Sequence, residues 1–344
     1  MTIGSRNIKR TAVLLAVLLI SGKFAFAGVQ GQGRNTGDFT NIILVGWDGT
    51  NRDILTDFLR AGKLPNLKEI MRAGAMVNTE ITTGRTETKP GWAEILTGYS
   101  SKTVGVLANR INYKPIPAGY TVFERLEDAF GDRGIITIFL AGKRQNLGAR
   151  GRHRVWVTGP RKGWDREEVW AKGDFLPAEE MILSFEGEPY YTAKPRLDVY
   201  QNGLGNGEAV VKNTLKYIKK YAKSRFFMFT HFEEPDEQGH VFGGYSAEYG
   251  QALIKDDIWL GRIIAALKKL GIYEKTLIYV VTDHGFDIKG AKHRYEPHTF
   301  LITNDPKVKR NTGDRKDLAP TVLSRFGLDI DKIAPSLEGA DLTR

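Results

Sequence analysis

Apolar runs that stop at an acidic residue recur along this chain, and they constrain its fold more than any other feature. NIILVGW ends at Asp48, TLIYVVT ends at Asp283, and RFFMFTHFEEP leads into Asp236. Short, continuously apolar runs are typical of strands buried on both faces, and the stretches between them have helical periodicity. That alternation predicts an α/β fold: a mostly parallel central sheet with helices on both faces. The expected strands are 41–47, 134–140, 225–232, 276–282 and 298–303. The expected helices are 54–61, 92–96, 122–130, 208–222, 247–270 and 318–326. There is no internal repeat and no low-complexity tract. Residues 148–207 break the pattern: they are rich in Gly, Arg and Trp with little periodicity, too long for an ordinary loop, and are expected to form an inserted cap.

The N-terminus carries Arg6, Lys9 and Arg10, then an apolar run from Ala12 to Ile20, then Ala25-Phe26-Ala27. This is the layout of a cleaved signal peptide over residues 1–27, which leaves a mature domain of 28–344 and a periplasmic or secreted destination. The apolar run falls well short of the roughly 20 residues a spanning helix needs, so no stable membrane span is expected. Removing Arg6, Lys9, Arg10 and Lys23 lowers the formal charge from +10 to +6. That excess is spread along the chain without a basic tract, which argues against gripping duplex nucleic acid and leaves a small anionic substrate as the expected partner. The sequence sets no oligomeric state.

There is no cysteine, so thiolate is excluded both as metal ligand and as nucleophile, and any metal must be held by His, Asp or Glu. Three separate strands deliver Asp48, Asp236 and Asp283 at or just past their carboxyl ends, the edge at which open α/β sheets bind ligands. Two of these carboxylates have a histidine at ligand spacing: His240 in PDEQGH and His284 in TDHG. Carboxylate mixed with imidazole suits zinc better than calcium or magnesium. In TETKPGWAEILTGY, Pro90 falls in the first turn of a helix, which puts the Thr88 hydroxyl at a helix N-terminus where a phosphoryl group is favoured. Thr88 is therefore the nucleophile candidate, although a plain N-cap would look the same.

These elements resemble the alkaline phosphatase superfamily, and especially its nucleotide pyrophosphatase/phosphodiesterase branch. The matching segments are VGWDGTNRDIL, TKPGWAEILTGY, FEEPDEQGHVFG, VVTDHGF, PHTFLI and DLAPTVLSRFG, which run in the family's order from Ile42 to Leu328. The resemblance implies two divalent ions, zinc by expectation. Asp48, Asp283, His284 and the Thr88 oxygen would hold one, and Asp236, His240 and His298 the other, with His293 a competitor for His298. It also implies that Asn109, 21 residues after Thr88, holds a phosphoryl oxygen. His231 and His153 are left as structural or substrate-contacting residues. The chain departs from the phosphodiesterases at FLAGKRQN, where Lys143 and Arg144 are candidate substrate-binding cations; threonine-type phosphomonoesterases and phosphonoacetate hydrolases resemble it in having a lysine in about this place.

The expected activity is hydrolysis of phosphodiester or pyrophosphate-type bonds through a phosphothreonine. A monoesterase or phosphonate hydrolase using Lys143 is the alternative within that class, and a phosphotransferase or a non-catalytic binding module stands outside it. Sulfatases on this scaffold generate their nucleophile from Cys or Ser, so Thr88 and the lack of cysteine argue against that activity.

Overall fold

The computed structural model describes residues 41–109, 113–144, 147–148, 153–157, 179–184, 188–287 and 290–344. The expected signal peptide lies outside the described residues. In chain order the elements are β1 (Asn41–Trp47), α1 (Arg52–Arg60), α2 (Pro65–Ala73), β2 (Ala75–Glu80), α3 (Thr88–Thr97), a short α4 (Ser101–Val104), α5 (Val122–Gly134) and β3 (Ile136–Ala141). There follow β4 (His153–Val157), β5 (Glu179–Ser184), β6 (Val199–Gln201), α6 (Gly207–Lys220), β7 (Phe226–Phe232), α7 (Glu234–Phe242) and α8 (Ala247–Lys269). The chain ends with β8 (Thr276–Val281), β9 (His298–Thr303), β10 (Thr312–Asp314) and α9 (Leu318–Arg325).

The main sheet has eight strands in the order β10-β2-β9-β8-β1-β7-β3-β6. Its centre is parallel, with β1 paired to both β7 and β8, and β3 to both β7 and β6. Within this sheet, among the described strands, only β9 runs against its neighbours, β2 and β8. Every residue of β1, β7 and β8 is buried, as continuous apolar runs require. Successive side chains of β1 separate into two cores: Ile43, Val45 and Trp47 pack with residues of α1, α2, α6 and α8, and Ile42 and Leu44 with residues of α3, α5 and α9. Helices therefore cover both faces, as the sequence implied.

Local chemistry accounts for several boundaries. Asn51 caps α1 by accepting from the amides of Asp53 and Ile54, and Thr121 with Glu124 forms a capping box on α5. Each such cap contributes about 1 kcal/mol. The strand expected from 134 begins at Ile136, because Gly134 still belongs to α5. The helix expected over 92–96 extends from Thr88 to Thr97.

Within 148–207, β6 joins the main sheet beside β3 and Tyr190 is buried in the core, so the end of this segment belongs to the sheet. The remaining described part is an antiparallel ribbon of β4 and β5. No helix among the described residues is long and apolar enough to cross a membrane.

Candidate metal centre

Four adjacent strands, β3, β7, β1 and β8, end at one edge of the sheet, and each hands over a charged side chain. Asp48 follows β1, Lys143 follows β3, Asp236 sits in the first turn of α7 after β7, and Asp283 follows β8. Backbone and side chain lock the carboxylates together. The Asp236 amide donates to the Asp48 carbonyl at 3.1 Å, and the Gly49 amide to Asp283 Oδ1 at 3.2 Å. Gly49 has φ +64°, and a Cβ there would meet Asp236 Cβ at 2.7 Å, so this turn needs glycine on both counts. His240 is one helical turn beyond Asp236, with Nε2 3.4 Å from Asp236 Oδ1 and Nδ1 donating to the Ala291 carbonyl at 3.0 Å.

The helix α3 brings Thr88 to the same edge. A Cβ on Gly91 would meet Asp283 Cβ at 2.7 Å, so only glycine lets α3 lie this close to the carboxylate. Trp92 Nε1 donates to Asp48 Oδ2 at 3.4 Å. Glu87 is the N-cap and Thr88 the first helical residue, which leaves the hydroxyl at the positive end of the helix. Thr88 Oγ1 lies 3.5 Å from His284 Nε2 and 3.4 Å from Lys143 Nζ. Asn109 folds back onto this end: its Oδ1 accepts from the Lys89 amide at 2.8 Å, and its own amide donates to Glu87 Oε2. That pins the carbonyl oxygen and leaves the Asn109 side-chain NH2 as the group available to an anion.

Burial and charge set the protonation of the cluster. Asp48 is fully buried, which raises its pKa, but the Lys143 ammonium and the His231 ring more than offset this and hold it far below the ordinary carboxylate range. Asp283 moves the other way, pushed well up by burial and by the neighbouring Asp48 carboxylate. Burial lowers the pKa of His231 and of His284, and lowers that of His293 to about 4. Neutral imidazoles are the form that binds metal.

The orphaned atoms of the cluster suit a cation. Asp236 Oδ1, Asp283 Oδ2 and His293 Nδ1 are buried without a hydrogen-bond partner, which is costly unless something else engages them. Two sets of side chains present ligand atoms within 4.8 Å of one another: Asp48, Asp283 and His284, and Asp236, His284 and His293. Carboxylate with imidazole, and no sulfur, is a donor set for zinc.

The structure does not bring His298 to this cluster; His293, the competitor named from the sequence, lies beside Asp236 and His284 instead. His298 Nδ1 lies 2.7 Å from Glu80 Oε2 and the side chain is 47% exposed. The reason is strand alternation. His298 shares a face with Phe300 and Ile302, which pack in the core with α1 and α2, whereas Trp92 and Ile95 of α3 pack in the opposite core. His293 comes from the loop before β9 and stacks on His284 with ring centroids 4.1 Å apart. Arg144 is exposed, and the described contact of its residue is a backbone carbonyl accepting from Asn202.

Of two supports, the sequence left His231 as structural or substrate-contacting without its partner, and did not single out Arg315. His231 Nε2 meets Asp48 Oδ2, with no part of either residue exposed. Arg315 is buried, with Nε 2.6 Å from Glu94 Oε2 on α3, Nη1 2.6 Å from the Asp283 carbonyl and Nη2 2.7 Å from the Arg85 carbonyl. His231 lies in the same strand-to-helix run as Asp236, a usable signal. An isolated arginine more than 200 residues from Glu94 offers none.

Residues 42–322 match the family described as type I phosphodiesterase / nucleotide pyrophosphatase. A mouse protein named bis(5'-adenosyl)-triphosphatase enpp4 is 23% identical over 313 residues, covering 90% of this chain and 60% of that protein. The chain thus spans about three fifths of that relative's length. Among solved structures, murine ectonucleotide pyrophosphatase / phosphodiesterase 5 in complex with AMP aligns with a TM-score of 0.53 at 14% identity, over 83% of this chain and 95% of the other. The phosphonate monoester hydrolase of Agrobacterium radiobacter aligns with a TM-score of 0.56 at 15% identity, over 88% of this chain and 76% of that one. At such identities these two structures establish a shared fold.

Proposed function

Because the chain belongs to the type I phosphodiesterase / nucleotide pyrophosphatase family, we propose that it hydrolyses phosphodiester or pyrophosphate-type bonds by way of a phosphothreonine at Thr88. The observation that carries this reading is the position of the Thr88 hydroxyl: at the N-terminus of α3, 3.5 Å from His284 Nε2, beside buried carboxylates with unpartnered oxygens.

Asp48, Asp283 and His284 with the Thr88 oxygen would hold one divalent ion, and Asp236, His240 and His293 would hold the other, zinc being the ion the donors suit. Such ions supply Lewis acidity, which lowers the pKa of a hydroxyl and neutralises charge on phosphoryl oxygens. The residues do the rest. Asp48, fixed by His231 and Trp92, presents Oδ1 to the centre. The Asn109 side-chain NH2, at the positive end of the α3 dipole, receives a non-bridging oxygen as negative charge accumulates on it. Thr88 attacks phosphorus in line with the leaving oxygen; the first product departs, and water then cleaves the threonyl ester and restores the hydroxyl. Residues 148–207, with the β4–β5 ribbon, are the candidate cap, and a signal peptide over 1–27 would direct export.

A second reading within the same chemistry rests on Lys143, whose ammonium lies 3.4 Å from Thr88 Oγ1. A cation there favours the second charge of a monoester or phosphonate. Assaying zinc-replete protein against nitrophenyl diester, monoester and phosphonate substrates tests both. The diester should turn over fastest, and Thr88→Ala should abolish turnover with metal content intact. Full activity in that variant would overturn the assignment.

A further inference from the structure

Lys143 stands in an unusual place for a substrate-binding cation. Its Nζ is 2.7 Å from Asp48 Oδ1 and 2.5 Å from Asp236 Oδ2, so it joins one carboxylate from each of the two ligand sets. The side chain is only 10% exposed, so water screens these pairs little, and removing either partner would leave an uncompensated buried charge. The Lys143 ammonium sits where positive charge is most needed when three aspartates crowd one sheet edge. It also uses Asp48 Oδ1, the oxygen left over once His231 and Trp92 have taken Asp48 Oδ2.

We propose that Lys143 is a two-position residue: in the metal-free protein its ammonium is the resident counter-ion of Asp48 and Asp236, and binding of divalent ions displaces it toward the phosphoryl site at Thr88. The proposal rests on the two-metal reading above and deepens it. An ammonium bonded to a carboxylate oxygen from each ligand set cannot keep both contacts while those oxygens turn to divalent ions a short distance away, because the charges repel and the lone pairs are the same. The four-carbon stem of lysine allows the head to move while its base stays fixed at the end of β3, and Thr88 Oγ1, already 3.4 Å from Nζ, marks the direction of travel. One residue thereby does two jobs. It keeps the empty carboxylate cluster from repelling itself apart, and it becomes available to the substrate only in the loaded enzyme.

The test is titration of zinc into chelator-stripped protein at fixed pH and ionic strength, comparing the unaltered chain with Lys143→Met. The variant should bind zinc at least about tenfold more tightly, as expected when a unit positive charge beside the ion is removed. Equal or weaker binding in Lys143→Met, with the unaltered chain still binding zinc, would overturn the displacement and leave the metal centre standing. Failure of both proteins to bind zinc would overturn the metal-centre reading and this inference with it. Amine labelling of the unaltered chain, read by mass spectrometry, does not depend on how the variant folds. Reactivity at Lys143 should rise on zinc loading, and an unchanged or lower reactivity contradicts its release.

Discussion

The ring of His231 and the carboxylate of Asp48 meet at 2.7 Å with neither side chain exposed, so one oxygen of Asp48 is committed to a protein partner and only the other can face the centre. Replacing His231 by Ala frees the Asp48 carboxylate to rotate. Outer partners of this kind typically contribute 10–100-fold to metal affinity or activity. We expect His231→Ala to weaken zinc binding by a factor of that order, measured by competition with a chromophoric chelator, and to leave the secondary structure unchanged by circular dichroism.

The two histidines before and at the start of β9 should separate cleanly. His293→Ala removes a side chain that stands with Asp236 and His284, and zinc content should fall from about two per chain toward one. His298→Ala removes a half-exposed partner of Glu80 and should retain both ions. Elemental analysis of the two purified variants decides the point, and loss of metal in His298→Ala alone would restore the sequence expectation.

Arg315 joins α3 to the loop that carries Asp283. Truncating it to Ala strands Glu94, whose Oε1 is already engaged by Ser101, as an uncompensated buried carboxylate. Breaking a buried pair in this way costs about 3–5 kcal/mol. Urea unfolding should report a loss of that size, and adding Glu94→Gln to Arg315→Ala should recover part of it.

Asp256 on α8 has both carboxylate oxygens buried without a hydrogen-bond partner. Burial, then the nearby Glu234 and Asp257, push its pKa well above the ordinary value. The folded state therefore keeps a proton that the unfolded chain releases near pH 4, and the folded state loses stability as pH rises beyond that value. Asp256→Leu should be more stable by about 1–3 kcal/mol near neutrality. Thermal melts from pH 4 to pH 8 should show the gain growing with pH, and a constant or shrinking gain would contradict the assignment.

Much of this architecture was legible because burial on both faces leaves a plain trace. NIILVGW and TLIYVVT announced β1 and β8, and their trailing aspartates announced the edge at which the site forms. The short strands β2 and β10 were not legible: AMVNTE carries only two fully buried side chains, and three residues of β10 carry too little pattern to read. Thr88 was legible from Pro90, since proline marks a first helical turn. The placement of His293, rather than His298, beside the cluster was not, because the pairing of His298 with Glu80 across β2 decides which face the ring takes, and that register is a property of the whole sheet. Lys143 was visible as a departure from the family pattern. Its contacts with Asp48 and Asp236 were not, since they join residues more than 90 positions apart.

The most direct test of the account is capture of the covalent intermediate. Zinc-loaded protein is mixed with a nitrophenyl phosphodiester, quenched in acid within a single turnover and digested, and the peptides are weighed. The expected adduct is a phosphodiester that links Thr88 to the substrate phosphorus and keeps the substrate's second ester group, located to that residue by fragmentation and absent from Thr88→Ala. Turnover that persists in Thr88→Ala, with no adduct at Thr88 in the unaltered chain, would contradict it.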